Sequence, residues 1–159
     1  MNRGLVAGIF VAVAGGIYIV MQSRQFTNWP PPPNAAIGAL AQAIAVAEGS
    51  PAAWNNPGDL TIGDSQGFAL QVDSNNQPLA NPAGVVRFVN LSDGVTALYR
   101  KLGRIQIGGS AVYSVAMTIS QFAQEYTGGD NADSWAATVA GELGLSPSDT
   151  VGTALGVQS

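Results

Sequence analysis

Between Ala36 and Asp59 the chain reads AIGALAQAIAVAEGSPAAWNNPGD. Ile37, Leu40, Ala41, Ile44 and Ala45 recur at helical spacing, and the stripe closes on Glu48, with Gly49 as the stop. Glu48 is the only ionisable side chain of this predicted helix. The end of a helix carries partial negative charge, so an acidic residue there works against the dipole. Trp54 and the turn Asn55-Asn56-Pro57-Gly58 follow directly. A carboxyl group beside an apolar wall has its pKa raised, and one that is neutral near pH 7 serves as a general acid. The competing reading is a surface glutamate near a helix end.

The residues the chain lacks narrow its chemistry further. It has 159 residues, a single-domain length, with no Cys and no His. Thiol nucleophiles, disulfides, thiolate or imidazole metal sites and a Ser-His-Asp triad are therefore excluded. Chemistry at neutral pH is left to carboxylates, Tyr, Lys and backbone groups, and no cofactor or metal is expected. Only 10% of residues are charged and the formal net charge is -4, with Arg3 and Arg24 lying in the N-terminal segment. An acidic body of this kind is no partner for nucleic acid.

Residues 5 to 21, LVAGIFVAVAGGIYIVM, carry no charge and lie between those two arginines. Their length predicts a single transmembrane helix within residues 1 to 24, and hence a single-pass membrane protein. Two other readings compete: a cleaved signal peptide ending at Ala12-Val13-Ala14, and a buried core helix. Residues 25 to 34 form a Pro-rich linker. Phe26 and Trp29 suit a membrane interface, and Pro30 to Pro33 suit a polyproline II spacer that holds the body off the bilayer. A proline-motif ligand is the alternative, although no charged residue accompanies the run.

Residues 35 to 159 form the expected body, α+β but mainly α, with a small antiparallel β-flap. Strand-like pieces fall at Leu60 to Ile62, Phe68 to Val72 and Val85 to Val89, with a turn at Ser74 to Pro78. Ser92, followed by Asp93, predicts a helix from Asp93 to Ile105, its end marked by Arg100, Lys101 and Arg104. Further helices are predicted over Ile119 to Tyr126 and Asp130 to Leu143. A short last helix opens at Ser146-Pro147-Ser148-Asp149.

Taken in order, AIAVAEG, NNPGDL, GFALQV, LSDGVTALYRKL and MTISQFAQEYTGGDNADSWAATVAGELGL resemble the lysozyme-like, lytic-transglycosylase-type domains of phage virion-associated muralytic proteins. The resemblance covers roughly Asn34 to Leu145. It implies a lysozyme-like fold in which Glu48 is the catalytic residue and peptidoglycan glycan strands are the substrate. It implies a lytic transglycosylase, with a muramidase-type hydrolase as second choice. Such a protein opens the wall locally from a phage virion or a bacterial envelope machine. Its partners would be peptidoglycan, the membrane through the N-terminal helix, and other virion proteins. The membrane would be a virion's internal membrane, or a bacterial inner membrane with the domain facing the wall. Two positions depart from the pattern: Asp59 stands where such turns usually carry Asn, and Glu125-Tyr126-Thr127 replaces a Trp-Ala-Pro.

A glycan hydrolase needs a second carboxylate about 5 to 10 Å from the acid. Asp59 and Asp64 are the candidates, each also readable as a turn residue. Lytic transglycosylases, as the resemblance implies, manage with one Glu, the substrate's 6-hydroxyl closing a 1,6-anhydro ring. Trp54, Asn55, Asn56 and Tyr126 are the candidate substrate-binding residues. Asn-Pro-Gly is equally a plain turn, and Tyr126 equally a core residue at a helix end. Phe68 and Trp135 are expected in the core, and Asp130-Asn131-Ala132-Asp133 caps a helix rather than holding calcium. The alternative to an enzyme is a catalytically inactive structural or glycan-binding component of a virion or envelope assembly.

Overall fold

The computed structural model describes residues 10–13, 16–19, 28–49 and 54–157. Two short strands, β1 (Phe10–Val13) and β2 (Gly16–Ile19), pair antiparallel, with Phe10 opposite Ile19 and Val13 opposite Gly16. Five helices follow: α1 (Ala35–Ala47), α2 (Leu91–Gln106), α3 (Ile119–Thr127), α4 (Ala132–Leu143) and the single turn α5 (Val151–Ala154).

The hairpin corrects the expected transmembrane helix and with it the expected single-pass membrane localisation. Residues 10–13 and 16–19 are strands inside the run that was to span the bilayer, and no helix among the described residues is long and apolar enough to cross a membrane. Hydropathy measures apolar length alone. This run is also rich in Val, Ile, Phe and Tyr around a Gly15-Gly16 pair, a composition that suits a hairpin as well as a helix. Arg3, Arg24, Phe26 and the rest of that segment lie outside the described residues.

The Pro-rich stretch lies against the body from Trp29 onward rather than standing free. Trp29 packs edge-on against Tyr99 of α2, with ring centroids 6.1 Å apart, and Tyr99 Oη donates to the Pro30 carbonyl at 3.2 Å. Asn34 then starts α1 by accepting the Ile37 N–H on its side chain at 2.9 Å.

Helix α1 packs on both α2 and α4, and α3 packs on α4. Ile37, Leu40, Ala41 and Ile44 meet Leu98, Leu102 and Ile105, with Phe122, Trp135, Ala136 and Val139, in one buried core. Burial of that apolar face is the main stabilising term, at roughly 25 cal/mol per Å². Several helix starts differ from expectation by a few residues. Asn90, not Ser92, caps α2, because its side chain accepts the Asp93 N–H at 2.9 Å. Asn131, at φ 54°, precedes α4 in place of Asp130, and Thr150 caps α5. Asp149 instead closes a turn by accepting the Ser146 N–H.

The expected β-flap is corrected too: residues 60–89 make isolated bridges, Thr61 with Val85, Leu70 with Phe88, Val72 with Pro78 and Ala80 with Val86. The cause is the way segment 86–89 divides its bonds. Val86 pairs with Leu60, Arg87 with Gln71 and Leu79, Phe88 with Trp54, and Val89 with Ala69. No one neighbour keeps enough successive rungs for a ladder, so the segment is held as a hub between loops.

Candidate active site

Glu48 is the C-cap of α1, its N–H still bonded to the Ile44 carbonyl at 2.9 Å, and Gly49 at φ 64° turns the chain away. The helix thus delivers the carboxyl group, half-buried, at the junction of α1 with α4. Trp135 of α4 donates its indole Nε1–H to Glu48 Oε1 at 2.7 Å. Behind this contact lies an aromatic wall: Trp135 against Tyr126 with centroids 5.2 Å apart, Tyr126 against Phe122 at 5.2 Å, and Phe122 against Tyr113 at 5.0 Å.

The turn 55–59 supplies the opposite side, and its shape comes from Asn56. That side chain is 1% exposed; its amide donates to the carbonyls of Leu60 and Val86 at 2.9 and 2.8 Å and accepts the Leu60 N–H at 2.8 Å. Asn55, at φ 52°, donates to the carbonyls of Phe88 and Val89, both at 3.2 Å. Tyr126 Oη donates to the Gly58 carbonyl. Gly58 is pressed against α2, where a Cβ would come within 2.8 Å of Leu98 Cδ1. Asp59 then sits at φ 44°, with its carboxyl group within hydrogen-bonding reach of Glu48.

The electrostatics follow from this packing. Burial raises the Glu48 carboxyl, the Trp135 bond partly offsets that, and the Asp59 charge and hydrogen bond raise it again. Lys101 opposes more weakly, and the result is about 7 against an ordinary 4.5. Asp59 is also raised, by burial, against the lowering effect of its bond to Glu48. Their mutual hydrogen bond raises Glu48 and lowers Asp59, which favours the proton on Glu48. Burial holds the Tyr126 hydroxyl well above its ordinary value, so it stays neutral.

The structure gathers the expected site residues unevenly. Glu48, Asp59 and Tyr126 come together. Trp54 does not provide the indole against Glu48; the Arg87 guanidinium covers its ring at 4.0 Å. Asn56 is corrected from sugar contact to turn staple, since burial and three backbone bonds occupy its amide. Asn55 likewise spends both amide hydrogens on carbonyls. Asp64 accepts from Lys101 Nζ at 3.1 Å and faces Arg104 at 4.0 Å. Its carbonyl takes the Arg100 guanidinium at 2.6 Å, so it anchors loop 61–68 to α2. The basic end of α2 thus clamps a loop, beyond any dipole effect.

Two residues of the site were not among the expected ones. Trp135 was expected in the core, and its ring is there at 5% exposure. A buried indole N–H still needs an acceptor, and that need was its one sequence signal. Lys101 follows Leu98 by three residues and precedes Ile105 by four, which puts a lysine on the apolar stripe. Its ammonium lies 4.7 Å from the Tyr126 ring centre and 5.1 Å from that of Tyr113.

No group of three or more acidic residues among the described residues is arranged to hold a metal ion. An open depression of about 320 Å³ lies at the α3–α4 turn, lined by Gln124, Asn131 and Ser134, away from the Glu48 carboxyl. No family model, no curated protein and no solved structure matches the chain.

Proposed function

We propose that the protein cleaves peptidoglycan glycan strands as a lytic transglycosylase, with Glu48 as general acid and then general base. One observation carries this reading: a half-buried carboxyl group, held by an indole N–H against an aromatic wall, keeps its proton up to about pH 7. The order of motifs resembling phage lytic-transglycosylase domains supports the same choice of substrate.

The reaction needs no other protein group to exchange protons. Glu48 gives its proton to the glycosidic oxygen, and the C1–O bond breaks with its electron pair going to that oxygen. The 6-hydroxyl oxygen of the same muramic acid residue bonds to C1, closing the 1,6-anhydro ring, and its proton returns to Glu48. The acid is regenerated and no water is consumed. A hydrolase instead keeps its two carboxyl groups about 5 Å or more apart, with sugar or water between them. Asp59 is engaged by Glu48 itself through a hydrogen bond rather than facing it across a substrate, and Asp64 is tied to Lys101. Both points favour the transglycosylase.

The test is release of fragments from purified sacculi by the full chain, read by mass spectrometry beside Glu48→Gln. Anhydro-muropeptides that disappear in the variant are the expected result. Reducing-end products would make it a hydrolase. No release by folded wild-type protein would overturn the enzyme reading and leave a structural or glycan-binding component.

A further inference from the structure

Asp59 is an unusual neighbour for an acid. The backbone that carries it is fixed on both sides, by Asn56 buried beneath the turn and by Tyr126 Oη on the Gly58 carbonyl. Tyr126 in turn stacks on the Trp135 that bonds Glu48, so the turn delivers Asp59 to the Glu48 cluster. Its φ of 44° lies in the left-handed region, which Asp and Asn enter more readily than other side chains. The nearest ammonium, that of Lys101, is already engaged by Asp64 at 3.1 Å. Two carboxylates sharing a site repel each other, and a proton held between them relieves the repulsion. Glu48 Oε1 already accepts from Trp135, which leaves the other oxygen to carry the proton toward Asp59.

We infer that Asp59 is a positioning residue for the Glu48 acid: its carboxylate accepts the Glu48 O–H and so orients the proton and holds it on Glu48. The inference rests on the reading of Glu48 as the acid. Its consequence is asymmetric. Before reaction the Asp59 carboxylate stabilises protonated Glu48 by a hydrogen bond. After the proton has gone to the glycosidic oxygen, two anions face each other, and the repulsion strengthens Glu48 as the base that takes the 6-hydroxyl proton. Asp59 itself neither gains nor loses a proton over the cycle. The other groups facing Glu48 are the Trp135 donor from α4, the neutral Tyr126 from α3 and the Lys101 ammonium from α2. Of these only Lys101 is charged, and it acts in the opposite sense to Asp59.

The test uses the full chain with carbon-13 in its carboxyl groups, followed by NMR against pH, for wild type, Asp59→Asn and Asp59→Gly. Asn and Gly both accept the positive φ, so the turn survives in at least one variant. The same proteins are assayed on sacculi across the same pH range, with Glu48→Gln as control. Carboxyl groups coupled by more than about one pK unit titrate as a pair in two steps. The expected result is a Glu48 midpoint that falls by about one unit in both variants, with the alkaline limb of fragment release falling alongside. At pH 7 a one-unit fall lowers the protonated fraction, and the rate with it, roughly fivefold.

A midpoint that stays put or rises overturns the role of Asp59, even if fragment release by wild type still depends on Glu48. A midpoint that falls while wild type releases nothing supports the held proton and overturns the enzyme reading alone.

Discussion

Trp135 and Glu48, 87 positions apart in sequence, meet at 2.7 Å through one indole N–H and one carboxyl oxygen. The bond fixes the side chain of α1's C-cap residue against α4, and it stabilises the ionised form of Glu48, acting against the burial that the same indole helps to impose. Exchanging Trp135 for Phe keeps an aromatic ring in the wall and deletes only the donor. The Glu48 midpoint is then expected to rise above its wild-type value, opposite in sign to the Asp59 variants. Glu48 also loses an anchor, so turnover falls while stability drops by about 1 to 3 kcal/mol, the cost of a buried acceptor left without its donor. A midpoint that fell instead would show that the indole acts through burial alone.

Stability itself follows pH through the same carboxyl group. Folded Glu48 keeps its proton up to about pH 7, whereas unfolded it releases it near 4.5. Between those values the native state binds more protons, so stability falls as pH rises through the window. Asp59, raised as well, adds to the trend at its lower end. Because Glu48 is only half-buried, solvent screening trims the effect to about 1 to 2 kcal/mol. Calorimetry should give a Tm a few degrees higher at pH 5 than at pH 8, a difference that Glu48→Gln largely removes. An equally steep pH dependence in that variant would place its origin elsewhere.

Asn56 holds the turn, so Asn56→Ala should be among the most damaging single changes. It leaves the carbonyl of Val86 and the N–H of Leu60 without their partner, while the Leu60 carbonyl keeps only the Val86 N–H. Each buried orphan costs about 1 to 3 kcal/mol, so a loss of at least about 2 kcal/mol in urea unfolding is expected. Asn56→Asp keeps the acceptor and loses both donors, and should recover only part of it.

Gly94 in the first turn of α2 gives a sharper test of the same packing. A Cβ there would lie 1.9 Å from the Asn55 carbonyl oxygen, a backbone atom that cannot swing aside. Alanine ordinarily strengthens a helix by about 1 kcal/mol over glycine. Gly94→Ala is expected to do the reverse, destabilising the protein and displacing the turn that carries Asp59. Fragment release should therefore fall further than the loss of stability alone explains. A stabilised, fully active variant would mean that the turn and α2 are not in contact in solution.

Glu48 stands out in the sequence because its signal is local: one carboxyl group closing an apolar stripe, with glycine next. The order and approximate extent of α1 to α4 are legible for the same reason, since periodicity and stop residues lie within each element. What escapes is whatever depends on a distant partner. Asn55-Asn56-Pro57-Gly58 reads as a turn, but nothing local says that the second Asn faces inward to bridge Leu60 and Val86. Trp135 reads as core, and its bond to Glu48 emerges only once α1 lies on α4. The hub made by residues 86–89 reads as a strand because alternation records which side chains are buried, not how many neighbours share the backbone. Residues 10–13 and 16–19 mislead for a related reason: apolar length alone does not choose between helix and hairpin.

Tyr99 ties the residues just ahead of α1 to the helical core. Its ring takes the edge of Trp29 and its hydroxyl bonds to Pro30, while Pro32 packs so tightly over Gly38 that a Cβ at that glycine would come within 2.8 Å of the Pro32 ring. The tryptophan and prolines ahead of α1 therefore act as a lid on the α1–α2 seam. A shortened chain begun at Asn34 would bare an aromatic face and a hydroxyl that the intact protein covers, and would invite self-association. Begun at Asn28, it would keep the seam closed.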